Sequence, residues 1–214
     1  MTGANATAIR LVLASASPAR LATLRSAGLR PEVVVSGVDE SRWKQLPPAE
    51  LARQLAVAKC EAVAARLERF DGPDVDEVLV VVGCDSVLEL DGQAYGKPAT
   101  AAVATKRWRQ LRGRAGVLHT GHHVVVLHGS SEATRTAGAA TTVHFADVTD
   151  AEIEAYVSTG EPLAVAGAFT IDGLGGPFVT RIEGDHSNVV GISLPLLRTL
   201  LAELGVAWVD LWRH

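Results

Sequence analysis

Ser15, Ser17 and Arg20 fall close together in Leu11–Gly28, LVLASASPARLATLRSAG. Two hydroxyls and a guanidinium where an apolar strand hands over to a helix suit a phosphate. Unpaired N–H groups and the positive end of the helix dipole face outward there. The same residues also serve an ordinary capped strand–helix turn. Ser17 suits an N-cap, Pro18 the first helical position and Gly28 the residue past the end. Acids and lysines follow at polar breaks in the chain. Glu40 lies beyond a short apolar run, Lys59 beside an apolar helical stripe, Asp85 after Val78–Val82, and Lys97 within Gly96-Lys97-Pro98. Taken alone, Glu40 also reads as a solvated loop acid and Lys59 as a snorkelling side chain. Asp85 is the stronger candidate acid, because open α/β sheets place reactive groups just outside the carboxyl ends of their strands. Capping or turn formation is its alternative role. Lys97 suits a phosphate, although no Walker pattern surrounds it.

A second unusual stretch runs from Glu161 to Gly176, rich in glycine and alanine and poor in charge. Small residues let a ligand approach the backbone closely. A planar base fits against such a wall, with Asp172 accepting its hydrogen bonds; a tightly packed loop is the alternative.

Positioning these residues requires alternating strands and helices early in the chain and a hairpin-rich middle. Leu11–Leu13, Val33–Val35 and Val78–Val82 read as strands. Pro47–Arg69 reads as a long helix with Leu51, Leu55, Ala58, Ala62 and Val63 on one stripe, broken by Asp71-Gly-Pro-Asp. Asp91-Gly92 predicts a hairpin joining Val87–Leu90 to Gln93–Tyr95. Thr100–Leu111 reads as a helix in which Trp108 packs rather than stacks on a base. Val117–Leu127 and Ser131–Phe145 pair as an antiparallel meander. His119, His122 and His123 fall inside it and read as structural rather than as a zinc site. Thr149-Asp-Ala-Glu152 is a capping box opening a helix that Gly160 ends. Phe178–Ile182 is a strand, Glu183–Asn188 a polar turn, Leu194–Leu204 the last main helix and Val206–Leu211 a terminal edge strand. The pattern predicts an α/β mixed sheet with two lobes around a cleft, in one domain over residues 9–212.

Composition sets the class. The 214 residues, 48% hydrophobic with a formal charge of -4, fit an ordinary globular protein and give duplex nucleic acid no basic surface to bind. Two cysteines in apolar surroundings suit a reducing compartment, and so a cytoplasmic location. Met1–Arg10 lacks the apolar core of a signal peptide, and no apolar run is long enough for a membrane span.

Several blocks recur in one order: Ser15-Ala-Ser-Pro-Ala-Arg20, Asp39-Glu40-Ser41, Lys59, Cys84-Asp85-Ser86, Gly96-Lys97-Pro98, Gly160-Glu-Pro…Ala-Gly-Ala-Phe-Thr-Ile-Asp-Gly and Asn188-Val-Val-Gly-Ile-Ser-Leu-Pro195. Together they resemble the Maf family of nucleoside triphosphate pyrophosphatases from roughly Leu11 to Leu204. The resemblance implies a long twisted mixed sheet with flanking helices and a deep cleft, related to the inosine triphosphate pyrophosphatases. It implies cleavage of a nucleoside triphosphate to the monophosphate and pyrophosphate with a divalent metal, Mg²⁺ or Mn²⁺. Ser15 and Arg20, with Ser17, match the phosphate-binding motif. Glu40, Lys59, Asp85 and Lys97 match the polar catalytic residues, with Asp85 and Glu40 as candidate metal ligands. Asp172 and Phe169 fall in the base-recognition stretch. That stretch resembles the branch acting on dTTP and UTP more than the branch acting on 7-methyl-GTP. The chain departs from that branch at Ala19, Arg112, Gly116, Phe169 and Asp172, where arginine, serine, histidine, tyrosine and glutamine are usual. Expected partners are nucleoside triphosphates as small-molecule substrates, with a homodimer left open. The alternative is a nucleotide-binding regulator of cell division with weak or no catalysis, or an enzyme that removes modified nucleotides.

Overall fold

The computed structural model describes residues 8–71 and 77–212. The expected break at Asp71-Gly-Pro-Asp, from Gly72 on, and most of the Met1–Arg10 stretch lie outside them. Among the described residues seven strands form one mixed sheet: β1 (Ala8–Leu13), β2 (Glu32–Val33), β3 (Glu77–Leu90), β4 (Gln93–Tyr95), β5 (Ala115–His128), β6 (Ser131–Phe145) and β7 (Val179–Glu183). Their order is β2-β1-β3-β5-β6-β7, with β4 also on β3. β1 runs parallel to β2 and β3, and the remaining pairs are antiparallel. The helices are α1 (Pro18–Ser26), α2 (Pro48–Asp71), α3 (Ala101–Leu111), α4 (Asp150–Ser158), α5 (His186–Val190) and α6 (Leu194–Glu203). Among the described residues no helix is long and apolar enough to cross a membrane.

The side chains of β3 alternate between two faces, as a strand requires. Val80, Val82 and Cys84 join Leu24 of α1 and Leu197, Leu200 and Leu201 of α6 in one core. Leu79 and Val81 pack on the opposite face against Cys60, Val63 and Leu67 of α2. Further along β3, Leu88 and Leu90 enter a third core with Trp108 of α3 and Ile153, Tyr156 and Val157 of α4. The long strands β3, β5 and β6 thus carry separate hydrophobic centres at their two ends, which is the physical form of the expected lobes.

Local sequence signals explain most boundaries. Ser17 caps α1, Thr100 caps α3 and Thr149 with Glu152 closes the capping box of α4. Asp91 (φ 52°) and Gly92 (φ 73°) form the tight turn between β3 and β4, the left-handed pair that a two-residue hairpin needs.

Four expectations are corrected. The strand expected at Val78–Val82 does not stop there. Residues 83–86 pair with residues 120–123 of β5, so one 14-residue strand runs to Leu90. The second strand is Glu32–Val33 rather than Val33–Val35. The polar Glu183–Asn188 segment is not simply a turn, because Asp185 accepts from Ser187 N–H and caps the short helix α5. Val206–Leu211 is not an edge strand. Trp208–Leu211 coils into a 3-10 turn that buries both Val206 and Leu211 in the core beneath α6, which alternation along a strand would not do.

Candidate active site

The site begins with a gap in the sheet. β3 pairs along one edge with β5, from Val78 to Glu89. Its other edge pairs with β1 up to Val82 and with β4 from Leu88 onward. Among the described residues Gly83–Val87 therefore have no strand partner on that edge, and Asp85 sits in the middle of the gap. β1 and β4 approach it from opposite directions. The Ser15–Ser17 loop leaves the end of β1 at one side, and Gly96–Lys97 leaves the end of β4 at the other.

Asp85 follows the face of Val81 and Val87, the α2 side. Glycines bring α2 down onto that face. A Cβ on Gly83 would lie 2.4 Å from the Ala56 carbonyl oxygen, and one on Gly121, the β5 residue opposite Asp85, would lie 2.2 Å from that of Ala52. No side chain fits at either position. The close approach lets Lys59, on α2, reach the sheet: its Nζ is 2.5 Å from Asp85 Oδ1 and 2.7 Å from Glu40 Oε1. Lys59 and Asp85 are mostly shielded, whereas Glu40 is about half exposed. Asp39 places Glu40 by capping the 3-10 turn Glu40–Trp43.

The opposite face carries a polar band between its two apolar cores. Arg20 Nε donates to the Gly191 carbonyl (2.7 Å). Its Nη1 donates to Ser15 Oγ (3.0 Å) and the Cys84 carbonyl (2.8 Å), and its Nη2 to Ser86 Oγ (3.0 Å). Arg20 is only 8% exposed. It stands behind the loop and holds Ser15 against β3, rather than projecting toward a ligand as the sequence suggested. Ser15 Oγ accepts from Arg20 and from Ser17 N–H (3.2 Å), so its own O–H remains available to donate. Ser17 Oγ is occupied as the N-cap, 3.4 Å from Arg20 N. The band continues from Ser86 to Thr120 (2.9 Å) and to Asn188, whose amide donates to the Leu118 carbonyl and to Thr141 Oγ1.

His122 is fully buried beside this band. Its Nε2 accepts from Ser193 N–H (2.9 Å), and its Nδ1 therefore donates to the Thr120 carbonyl (3.1 Å). Burial, then the nearby Arg20 charge, pushes its pKa down to about 4. Both nitrogens are engaged, in keeping with a structural histidine.

Lys97 is exposed and makes no ion pair among the described residues. The Gly96 carbonyl before it accepts from Arg107 Nη1 (2.5 Å) and from Gly167 N–H (3.2 Å). Gly167 and Ala168 form a left-handed turn, φ 73° and 64°, and Trp108 Nε1 donates to the Ala168 carbonyl (2.7 Å). Phe169 is 4% exposed, and its ring meets Phe145 edge-on at 5.0 Å. It forms part of the core behind the loop and offers no open face for stacking. Asp172 is exposed on the loop beyond it.

Sequence reasoning passed over Glu161 as a separate group. Its carboxylate accepts from Tyr156 Oη (3.0 Å), Thr170 Oγ1 (2.5 Å), Leu174 N (3.0 Å) and Gly175 N (3.1 Å). Burial raises its pKa, but these hydrogen bonds outweigh burial and the net shift is downward. Glu161 thereby shapes the loop that presents Asp172. Its signal was its place as the acid opening a stretch otherwise poor in charge. Ser86 and Thr120 were also missed, although each is a polar residue within an apolar strand.

Lys59, Glu40 and Asp85 thus meet directly, and Ser15 and Lys97 border the same gap from its two sides. Asp172 lies on the loop tied to Gly96, and Phe169 is withdrawn. A separate cavity of about 920 Å³ among Arg25, Arg30, Pro31 and Trp212 lies at the other end of α1 and gathers none of these residues. The two carboxylates that share Lys59 are hard oxygen donors of the kind Mg²⁺ or Mn²⁺ takes, although no cluster of three or more metal-binding side chains occurs among the described residues.

Comparison with known proteins shows the family. The family model described as Maf-like protein matches residues 10–204. A protein of Salinispora tropica named nucleoside triphosphate pyrophosphatase is 59% identical over 204 residues, covering 95% of this chain and 88% of the relative. Proteins with the same name from Streptomyces avermitilis and Streptomyces coelicolor are 57% and 58% identical over 203 residues, covering 95% of this chain and 94% of each relative. The match spans the gap in β3 and every segment that borders it, and the chain belongs to the Maf family.

Proposed function

We propose that this protein hydrolyses nucleoside triphosphates between the α- and β-phosphates, releasing the nucleoside monophosphate and pyrophosphate. The observation that carries this reading is the meeting of Asp85, Lys59 and Glu40 at the unpaired stretch of β3, with Ser15 and Lys97 on either side. Water oxygen bonds to the α-phosphorus, the bond to the bridging oxygen breaks, and pyrophosphate leaves with that electron pair. One of the two carboxylates takes the water proton. Lys59 and Lys97 balance charge on the triphosphate and the departing pyrophosphate, and Ser15 donates to a phosphate oxygen. Asp85 and Glu40 would hold Mg²⁺ or Mn²⁺. When bound, the ion neutralises phosphate charge and polarises the reacting group. Serine as a covalent nucleophile is disfavoured, since Ser15 is bonded to Arg20 and Ser17 and, among the described residues, to no histidine.

For the base, Asp172 departs from the glutamine usual in the dTTP/UTP branch. An ionised carboxylate only accepts, which suits the adjacent N1–H and 2-amino donors of guanine better than the carbonyls of uracil. The substrate range is therefore broader than pyrimidines and includes GTP. Cys60 and Cys84 are buried free thiols, which supports a reducing, cytoplasmic setting.

The test is pyrophosphate release from a panel of canonical and modified triphosphates with Mg²⁺, Mn²⁺ or EDTA, beside Asp85→Asn. Metal-dependent release that Asp85→Asn abolishes supports the enzyme. Nucleotide binding without release favours the regulator of cell division. Ala19 and the inward-turned Arg20 lend that second reading its support, since they leave the Ser15–Ser17 loop with no outward cation.

A further inference from the structure

Arg107 is a buried cation with no counter-ion among the described residues. It sits on α3 and is only 8% exposed. Its Nη1 donates to the Gly96 carbonyl at 2.5 Å, and its guanidinium lies 4.9 Å from the centre of the Tyr95 ring. Its Nε has no hydrogen-bond partner, and no carboxylate pairs with it among the described residues. Burial lowers its pKa from the ordinary value, but a guanidinium stays charged at neutral pH. An unpaired buried charge is costly, and proteins keep one where something compensates. The neighbouring turn suggests what that is. Gly96 and Tyr95, the two groups Arg107 touches, immediately precede Lys97, which follows the end of β4 where that strand borders the gap.

We propose that Arg107 is a positioning residue for the phosphate end of the substrate. It anchors the Gly96 carbonyl from behind and so sets the direction of Lys97. Nη1 bonded to the carbonyl and the flat guanidinium on Tyr95 hold the turn from two sides, while Gly167 N–H holds the same carbonyl from a third. Arg107 thereby links α3 to the reaction without contacting the reacting atoms. This inference rests on Lys97 acting on phosphate, as set out above.

The experiment is a double-mutant cycle on the full-length protein. It compares wild type, Arg107→Met, Lys97→Ala and the double variant, with Arg107→Lys as the conservative change. Pyrophosphate release, equilibrium binding of a nonhydrolysable triphosphate and melting temperature are measured for each. Arg107→Met is expected to lower kcat/KM by roughly 10- to 100-fold, the range for one charge-assisted hydrogen bond. In the Lys97→Ala background the same change should cost less than about 3-fold, because the two act through one turn. Arg107→Lys should recover part of the loss. An equal loss in both backgrounds, or none in either, overturns the proposal. If wild type releases no pyrophosphate, the hydrolase reading fails instead, and the binding cycle still decides whether Arg107 acts through Lys97.

Discussion

Lys59 Nζ and Asp85 Oδ1 stand 2.5 Å apart, although the residues are 26 positions apart in the chain. One is on a helix and the other on the strand beneath it, and Glu40 joins the same ammonium from a third segment. An aspartate that takes a proton or holds the metal has no substitute in its amide. Asp85→Asn is expected to lower turnover at least ~100-fold while the protein stays folded. Lys59→Met should also lower kcat/KM, because it leaves two acids facing each other with no cation between them. Steady-state pyrophosphate release and melting temperature together decide this, and near-normal turnover of Asp85→Asn at saturating Mg²⁺ would refute the role.

The contact depends on how closely α2 lies on the sheet. Gly83→Ala places a methyl group 2.4 Å from the Ala56 carbonyl oxygen, so backbone must move. A cost of about 1–3 kcal/mol is expected from overpacking, together with a loss of activity as Lys59 is lifted from Asp85. Gly129→Ala is the control. Gly129 has φ +57° but open space around it, so only backbone strain of about 1 kcal/mol is expected and kcat should not change. Equal activity in the two variants would separate the helix–sheet distance from catalysis.

Glu161 should govern the loop that carries Asp172. Glu161→Gln keeps the size but weakens four accepted hydrogen bonds, two of them from the backbone N–H groups of Leu174 and Gly175. Amide exchange at those residues is expected to quicken by about 10-fold or more, with KM rising more than kcat falls. The pKa of Glu161 is lowered on folding, so its contribution is present above the ordinary carboxylate range and is lost as pH falls through the folded value. Protection of the loop should therefore hold near neutrality and fall away only as pH drops below the ordinary carboxylate range. Unchanged exchange in Glu161→Gln would show that the loop is held by its packing alone.

His122 sets an acid limit on stability. Its pKa falls from 6.5 to about 4 on folding, so below 6.5 the unfolded chain takes up a proton that the folded chain refuses. Stability then declines as pH drops from 6.5 toward 4. His122→Gln keeps an acceptor for Ser193 N–H and has no such proton. The stability difference between wild type and His122→Gln should shrink through that window, as read by urea melts at pH 7, 5.5 and 4.5. Parallel curves for the two proteins would rule this out.

Asp172 is expected to tune the base. Asp172→Gln should shift the ratio of specificity constants toward UTP and away from GTP by about 10-fold, since the amide both donates and accepts. The wild-type and variant GTP/UTP ratios, taken under one metal condition, check it. An unchanged ratio would move base recognition away from this residue.

Much of this was legible in the linear chain. The caps at Ser17, Thr100 and Thr149, the Asp91-Gly92 turn and the apolar stripe of α2 are local choices, decided within a few residues by hydrogen bonding and backbone sterics. The ordered blocks around Ser15, Glu40, Lys59, Asp85 and Lys97 carry the candidate residues and the family in the linear chain itself. Other features depend on which segments become neighbours. Asp85 sits within β3 rather than after it because residues 83–86 pair with a strand more than thirty positions away. Arg20 turns inward because Cys84 and Ser86 of β3 and Gly191 after α5 converge on it from two other segments. Phe169 is withdrawn because Phe145 packs on it. Residue types and local conformation are properties of the sequence itself. Burial, charge pairing and the gap in β3 arise only when distant segments pack, since a side chain's solvent and partners are set by what folding brings beside it.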